Sequence, residues 1–317
     1  LVRRGELAEA EQWVQKLAER AGETFAAVEL RARVLKAKGR SDAAAKLIRD
    51  FAAAGGARAT LPAAALLDTL DMTADAEGLY RAYAADSKEP SAPLALAGFL
   101  ARRGRLSEAM PLYEAAWKAG PPEAVGRSSV AALRAGRGSP ADAGRVEAWI
   151  DAAVAAAPQS VGLLVLKADL YQFQERFADA VAVYREVLRR DPRQVVALNN
   201  LAYLLAVRGG RPDEALALID AGLAVTGPHP DLLDTRGVVL TRAGRADEAA
   251  ADLARAVADA PAGEKHFHLA LAHLRAGRKA AAATGLRDAT EAGLRRDDLH
   301  PLERPEWDRL SAELARP

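Results

Sequence analysis

The chain has 317 residues, 50% of them hydrophobic but only 5% aromatic, and its 44 Lys and Arg nearly cancel its 43 Asp and Glu. A net charge of +1 supplies neither a basic field for nucleic acid nor an acidic tail, and the few aromatics form no aligned stacking series, so nucleic acid is not expected as a partner. No Cys is present, which excludes disulfides, thiolate catalysis and Cys-ligated zinc while leaving the compartment open, and no apolar run approaches the roughly 18 residues of a membrane helix.

A Gly-Arg or equivalent turn recurs along the chain with Ala five places after its first member: Gly5, Gly39, Gly104, Glu175, Gly210, Gly244 and Gly277 are followed by Ala10, Ala44, Ala109, Ala180, Ala215, Ala249 and Ala282. Most steps are 33 to 35 residues, and the wider gap between Gly39 and Gly104 predicts a degenerate turn hidden near Thr73. A fixed period of this size predicts a solenoid of helical hairpins.

In chain order, residues 1–21 read as a partial repeat, the end of one helix followed by a second with Leu7, Ala10, Val14 and Leu17 on one face. Residues 25–58 form a full unit: Val28, Ala32 and Leu35 stripe the first helix, and Ala44, Ile48 and Phe51 the second. Residues 60–88 read as a degenerate unit with a short first helix. Residues 90–121 are regular, with Leu96, Ala97, Leu100, Ala109, Tyr113 and Ala116. Residues 122–158 are irregular, because Gly136–Gly144 is expected to insert extra turn residues; flexibility or a change of pitch is expected at both irregular units.

Residues 161–192 show the pattern most clearly. Leu164, Ala168 and Tyr171 precede the Glu175-Arg176 turn, Ala180, Tyr184, Val187 and Leu188 follow it, and Asp191-Pro192 closes the unit. Units at 195–229, 230–261 and 263–294 repeat it. Residues 295–317 read as a capping segment, with Trp307, Leu310 and Leu314 on one face of a helix after Pro305. The chain enters in mid-repeat at Leu1 rather than at Met, so the parent protein is expected to continue N-terminally.

These residues resemble the tetratricopeptide repeat: a small residue midway along the first helix, a large apolar one soon after, a small one opening the second helix, and Pro closing the unit. Asn199-Asn200-Leu201-Ala202-Tyr203 and the Ala/Arg-rich usage look like bacterial arrays of that family, here the C-terminal part of a longer one. The resemblance implies an all-α fold, a right-handed α-α superhelix of about nine antiparallel hairpins. It also implies a non-catalytic scaffold that binds a peptide or partner protein along the groove lined by the first helices. The runner-up is a regulatory or docking arm of a larger bacterial enzyme or envelope export machine.

Carried onto this sequence by offset, the groove residues are Glu29, Arg33 and Lys36 early on, and Asp169, Gln172, Asn199, Asn200, Tyr203, Asp231, Asp234, Thr241 and Arg242 later. Asn amides can clamp an extended backbone and Tyr203 adds a flat anchor. Asp169, Asp231 and Asp234 predict a neutral or basic partner segment, since an acidic one would be repelled.

No catalytic constellation, cofactor motif or phosphate loop is expected: Gly136-Arg137-Gly138-Ser139 lacks the Gly-Lys-Ser/Thr ending. His266, His268 and His273 lie within eight residues, but His268 points away from the face shared by the other two, and no ligand spacing completes a metal site. His266 and His273 are therefore expected as a partly buried structural pair, and His229 and His300 as loop histidines. The turn arginines are expected to complement helix C-termini.

Overall fold

The computed structural model describes residues 9, 10, 12–14, 16, 24–87, 89 and 92–315; the expectations at Gly5, Leu7 and Leu17 lie outside them. The described chain is all-α, a series of stacked antiparallel helix pairs without strands. It divides into two compact units, Leu1–Trp149 and Ile150–Pro317.

In the first unit the pairs are α1 (Phe25–Ala37) with α2 (Ser41–Gly55), α3 (Ala57–Thr69) with α4 (Thr73–Asp86), and α5 (Ala92–Arg102) with α6 (Leu106–Ala119). Then come α7 (Pro122–Ala135) and α8 (Pro140–Ala156). The second unit holds α9 (Val161–Phe173) with α10 (Phe177–Arg190), and α11 (Val195–Arg208) with α12 (Pro212–Thr226). It continues with α13 (Pro230–Arg242) and α14 (Ala246–Asp259), then α15 (Gly263–Arg275) and α16 (Lys279–Glu291). A 3-10 turn (Arg296–Asp298) and α17 (Arg304–Leu314) follow.

The repeated turn has one physical form. At Gly39 the backbone N–H bonds Lys36 O at 2.9 Å, and Arg40 N–H bonds Leu35 O at 2.9 Å. This pair of bonds closes a helix through one left-handed residue, and Gly39 supplies it at φ 73°. Where Gly is missing the same conformation persists in Asp71, Arg137 and Glu175, at φ 55°, 51° and 58°. The hidden turn therefore sits at Asp71, two residues before Thr73, and its helix α3 has 13 residues rather than being short.

The insertion near Gly138 is also smaller than expected. It amounts to Ser139, whose hydroxyl accepts from Asp142 N–H while the Asp142 carboxylate accepts from Ser139 N–H, capping α8 from Pro140 onward.

The arginine beside most turns acts differently from expectation. At four turns, instead of complementing the preceding C-terminus, it pairs with an acid in the first turn of the next helix: Arg105 with Glu108 at 2.6 Å, Arg176 with Asp179 at 2.8 Å, Arg211 with Glu214 at 2.9 Å, and Arg245 with Glu248 at 2.6 Å, whereas Arg278 reaches back to Asp247 at 2.6 Å. That charge placement favours the helix start as well as the bridge.

The small residue after each turn marks closest approach. Ala44, Ala76, Ala109, Ala180, Ala215, Ala249 and Ala282 are all fully buried. The first helices repeat the device with Ala32, Ala64, Ala97, Ala168, Ala202 and Ala270, and with Gly237, where a Cβ would stand 2.3 Å from Leu253 Cγ. Between these close approaches large side chains fill the core, Tyr113 in the first unit and Tyr184 and Phe267 in the second.

Candidate functional site

In the second unit the candidate residues lie on the first helices α9, α11 and α13, and most are already engaged within the chain. Tyr184, from second helix α10, extends its phenol to the first helices beside it. Its hydroxyl donates to Asp169 Oδ1 at 2.5 Å and accepts from Gln172 Nε2 and from Asn200 Nδ2, the latter at 3.0 Å. Asn200 Nδ2 also donates to Asp169 at 3.2 Å, and Asn199 Nδ2 to Asn200 Oδ1 at 3.1 Å. These five side chains tie α9 to α11 through one phenol. Thr241 turns back on its own helix, donating to Gly237 O at 2.8 Å.

Tyr203 and Arg242 meet the C-terminal segment directly, and Asp234 is linked to it through His268. After the 3-10 turn the chain returns across the first helices before α17 begins. Tyr203 of α11 donates its hydroxyl to Glu303 Oε2 at 2.5 Å, across 100 residues of sequence. His268 of α15 stands between two carboxylates, with Nδ1 2.8 Å from Asp234 of α13 and Nε2 3.2 Å from Glu303. Arg242 reaches Glu306 at 2.6 Å, and Arg275 approaches the same carboxylate at 3.6 Å.

Apolar contacts accompany the charges. Leu302 packs against the core cluster built on Tyr184 and Leu201. The His300 ring lies 5.0 Å from Phe177 and edge-on to Tyr203 at 5.4 Å. Trp307 rests on Phe267 at 5.5 Å, and Leu310 is fully buried beside it. Pro301 and Pro305 fix φ on either side of Glu303, which lowers the entropy lost in holding the segment against the helices.

Glu303 is 2% exposed, Glu306 6% and His268 5%, an unusual depth for charged groups. Burial by itself would depress the His268 pKa, but the flanking Asp234 and Glu303 carboxylates outweigh it and hold the ring well above its ordinary value. Burial would likewise raise Glu303; the imidazolium charge and the hydrogen bonds from His268 and Tyr203 win, and its pKa is lowered. Tyr203 is raised well above its ordinary value by burial and by the adjacent Glu303 charge. The three groups form one ion-paired unit, imidazolium with carboxylate and a neutral phenol.

Two of the three carboxylates behind the expectation of a neutral or basic partner are ion-paired within the chain. Asp231 is bridged to Lys265 at 2.8 Å and Asp234 to His268, while Asp169 accepts hydrogen bonds from the neutral Tyr184 and Asn200. His266 and His273 are partly buried as expected, but the buried, ion-paired member of the cluster is His268. His300 packs between two aromatic rings instead of standing as an ordinary loop residue. The residues that sequence reasoning missed are His268, Arg275, Glu303 and Glu306. His268 sits on the apolar stripe of α15, a detectable signal, but nothing periodic marks Glu303. Among the described residues no group of three His, Asp or Glu side chains is placed to hold a metal ion, and no helix is long and apolar enough to cross a membrane.

The described helices form a helical-repeat array. Residues 165–230 and 235–293 match the Tetratricopeptide repeat family. Among solved structures, a tetratricopeptide repeat protein from Parabacteroides merdae ATCC 43184 is 16% identical, with a TM-score of 0.57 over 81% of this chain and 98% of that one. A thermophilic repeat protein from Thermus thermophilus is 19% identical, with a TM-score of 0.42 over 72% and 97%. PilW, described as a widely conserved type IV pilus biogenesis factor, is 21% identical, with a TM-score of 0.48 over 61% and 90%. No curated protein matches the chain significantly.

Proposed function

We propose that this chain is a non-catalytic scaffold whose first-helix face in residues 161–275 grips a segment of a partner polypeptide. One observation carries the reading: Tyr203, His268 and Arg242, from three successive repeats, converge at hydrogen-bond distance on one short stretch of polypeptide, residues 302–306. A surface that desolvates and pairs two glutamates of its own chain has the chemistry to hold a segment of another.

The remaining polar positions extend the face. Gln172 and Asn199 stand on α9 and α11, half-buried, with amides suited to a backbone. Placing a photo-reactive residue at Gln172, Asn199 or, on the outer helix α10, Arg189 tests the reading in the native cell. Polypeptide adducts should form from the first two positions and not from Arg189. Adducts confined to Arg189 would move the interaction to the second-helix face.

A further inference from the structure

The C-terminal segment does more than close the last repeat. An end cap needs only an apolar face against α15 and α16, which Trp307 and Leu310 supply. Leu302, Glu303 and Glu306 instead reach back one and two repeats further, to α11 and α13. Among the described residues, Glu306 is the one carboxylate at ion-pair distance from either Arg242 or Arg275. Lys265 and His268 offset Asp231 and Asp234 on the same face. Without the segment, two guanidinium groups and one side of an imidazolium would face solvent beside the apolar patch that receives Leu302.

We propose that this face recognises acidic segments of the form Leu-Glu-X-X-Glu at the start of a helix, and that residues 302–306 are a built-in occupant which such a partner must displace. The assignment rests on the groove reading above and names the partner's chemistry. Three features specify it. Leu302 enters an apolar contact that a polar residue would leave unfilled. Glu303 takes a charge-assisted hydrogen bond from Tyr203 and the His268 ring. Glu306, one turn later, meets Arg242 and Arg275; Gln there would lose the charge of a pair that is only 7% exposed on the carboxylate side. A basic segment would place cations against Arg242, Arg275 and His268, which costs Coulomb energy in a desolvated site.

The occupant is tethered close to its site. Only a short stretch separates the end of α16 at Glu291 from Leu299, so its effective concentration is on the order of millimolar. A partner competes with that value, and its apparent affinity is weakened by the fraction of time the segment is docked.

The test uses the full chain and a fluorescein-labelled peptide with the sequence of residues 298–311. Glu303→Lys/Glu306→Lys should expel the chain's own segment by like-charge repulsion while leaving the receiving face intact, with circular dichroism confirming the helical fold; Glu306→Lys alone serves if the double variant does not fold. The variant should bind the peptide at least tenfold more tightly than the wild-type chain does. A peptide with Gln at both glutamate positions should bind the variant at least tenfold more weakly, and adding Arg242→Glu to the variant should abolish binding.

Equal affinity for the Glu and Gln peptides, or no gain over wild type, overturns the assignment. A concentration-dependent dimer of the wild-type chain that the peptide dissociates would assign the face to exchanged tails of two copies, and also overturns it. Cross-links at Gln172 and Asn199 without peptide binding would remove the acidic specificity and leave the scaffold reading standing. Cross-links confined to Arg189 would remove both.

Discussion

Arg102 and Arg242 hold the same register position, two residues before a turn glycine, and they solve the same electrostatic problem differently. Arg102, in the first unit, pairs at 2.8 Å with Asp68, 34 residues earlier on the neighbouring first helix, where Arg103 also binds. Lys36 is matched from the following repeat instead, meeting the turn residue Asp71 at 3.0 Å. Arg242, in the second unit, has no acid to meet on the neighbouring helix: apolar Ala206 and Val207 stand at the places corresponding to Asp68, and both are buried. Its partner is Glu306, 64 residues later. Arg102 is thus matched by the neighbouring repeat, whereas Arg242 is matched by the C-terminal segment. The two faces differ here by one missing acid.

The comparison can be broken most forcefully at the apolar anchor. Phe267→Ala removes a fully buried ring that carries Trp307, and should cost about 3–5 kcal/mol. Phe99→Ala, which removes a buried ring packed at a tilt on Tyr80 at 4.9 Å within the first unit, should cost a similar amount. Urea unfolding measures both. Only Phe267→Ala should also accelerate amide exchange over residues 299–306, because only there does a return segment depend on the ring.

Arg242→Ala tests the charge difference directly. It leaves Glu306 buried with only the more distant Arg275, so about 1–3 kcal/mol should be lost, with faster exchange of residues 299–306. Arg102→Ala should lose no more than about 1 kcal/mol, since its side chain is half-exposed and Asp68 keeps Arg103. Equal losses at the two sites would erase the distinction.

The His268–Glu303 pair predicts a pH window for docking. The His268 pKa is raised above its ordinary 6.5, so its contribution is fully present below that value and is lost as pH climbs through the raised folded pKa. The Glu303 pKa is lowered from 4.5, so its contribution is present above that value and is lost as pH falls through the folded pKa. The stability difference between wild type and His268→Gln should therefore persist through neutral pH and shrink in alkali and in strong acid. A pH-independent difference would deny the ion pair its role. Asp234, Glu264, Tyr203 and His300 contribute to the field at this pair, so the titration read by NMR belongs to the group rather than to one residue.

The smallest effect concerns the turns. Glu175 holds φ 58°, where an L side chain is strained, and Glu175→Gly should raise stability by about 1 kcal/mol, read as a higher unfolding midpoint. Binding of the residue 298–311 peptide should not change.

Much of the fold was legible because close packing of helices leaves a periodic trace. Ala32, Ala44 and their successors recur wherever backbones approach, and a left-handed turn residue recurs wherever a hairpin closes. The degenerate unit was hidden only by its Asp71 turn; its Ala64 and Ala76 keep the phase. Candidate groove positions were legible by offset, Tyr203, Asp234 and Arg242 among them. Their partners were not. Glu303 lies 100 residues from Tyr203 and Glu306 lies 64 from Arg242, and no local period links such positions. Three aspartates read as an acidic face because Lys265 and His268, which neutralise two of them, come from the following repeat.

The sequence by itself determined the hairpins, their turns and the side chains that each first helix turns inward, because these follow from spacing within about 34 residues. Only the tertiary structure decided that the inward face of the second unit is occupied and by what chemistry. Pairing across that distance depends on where a return segment lands, and side-chain periodicity carries no record of it.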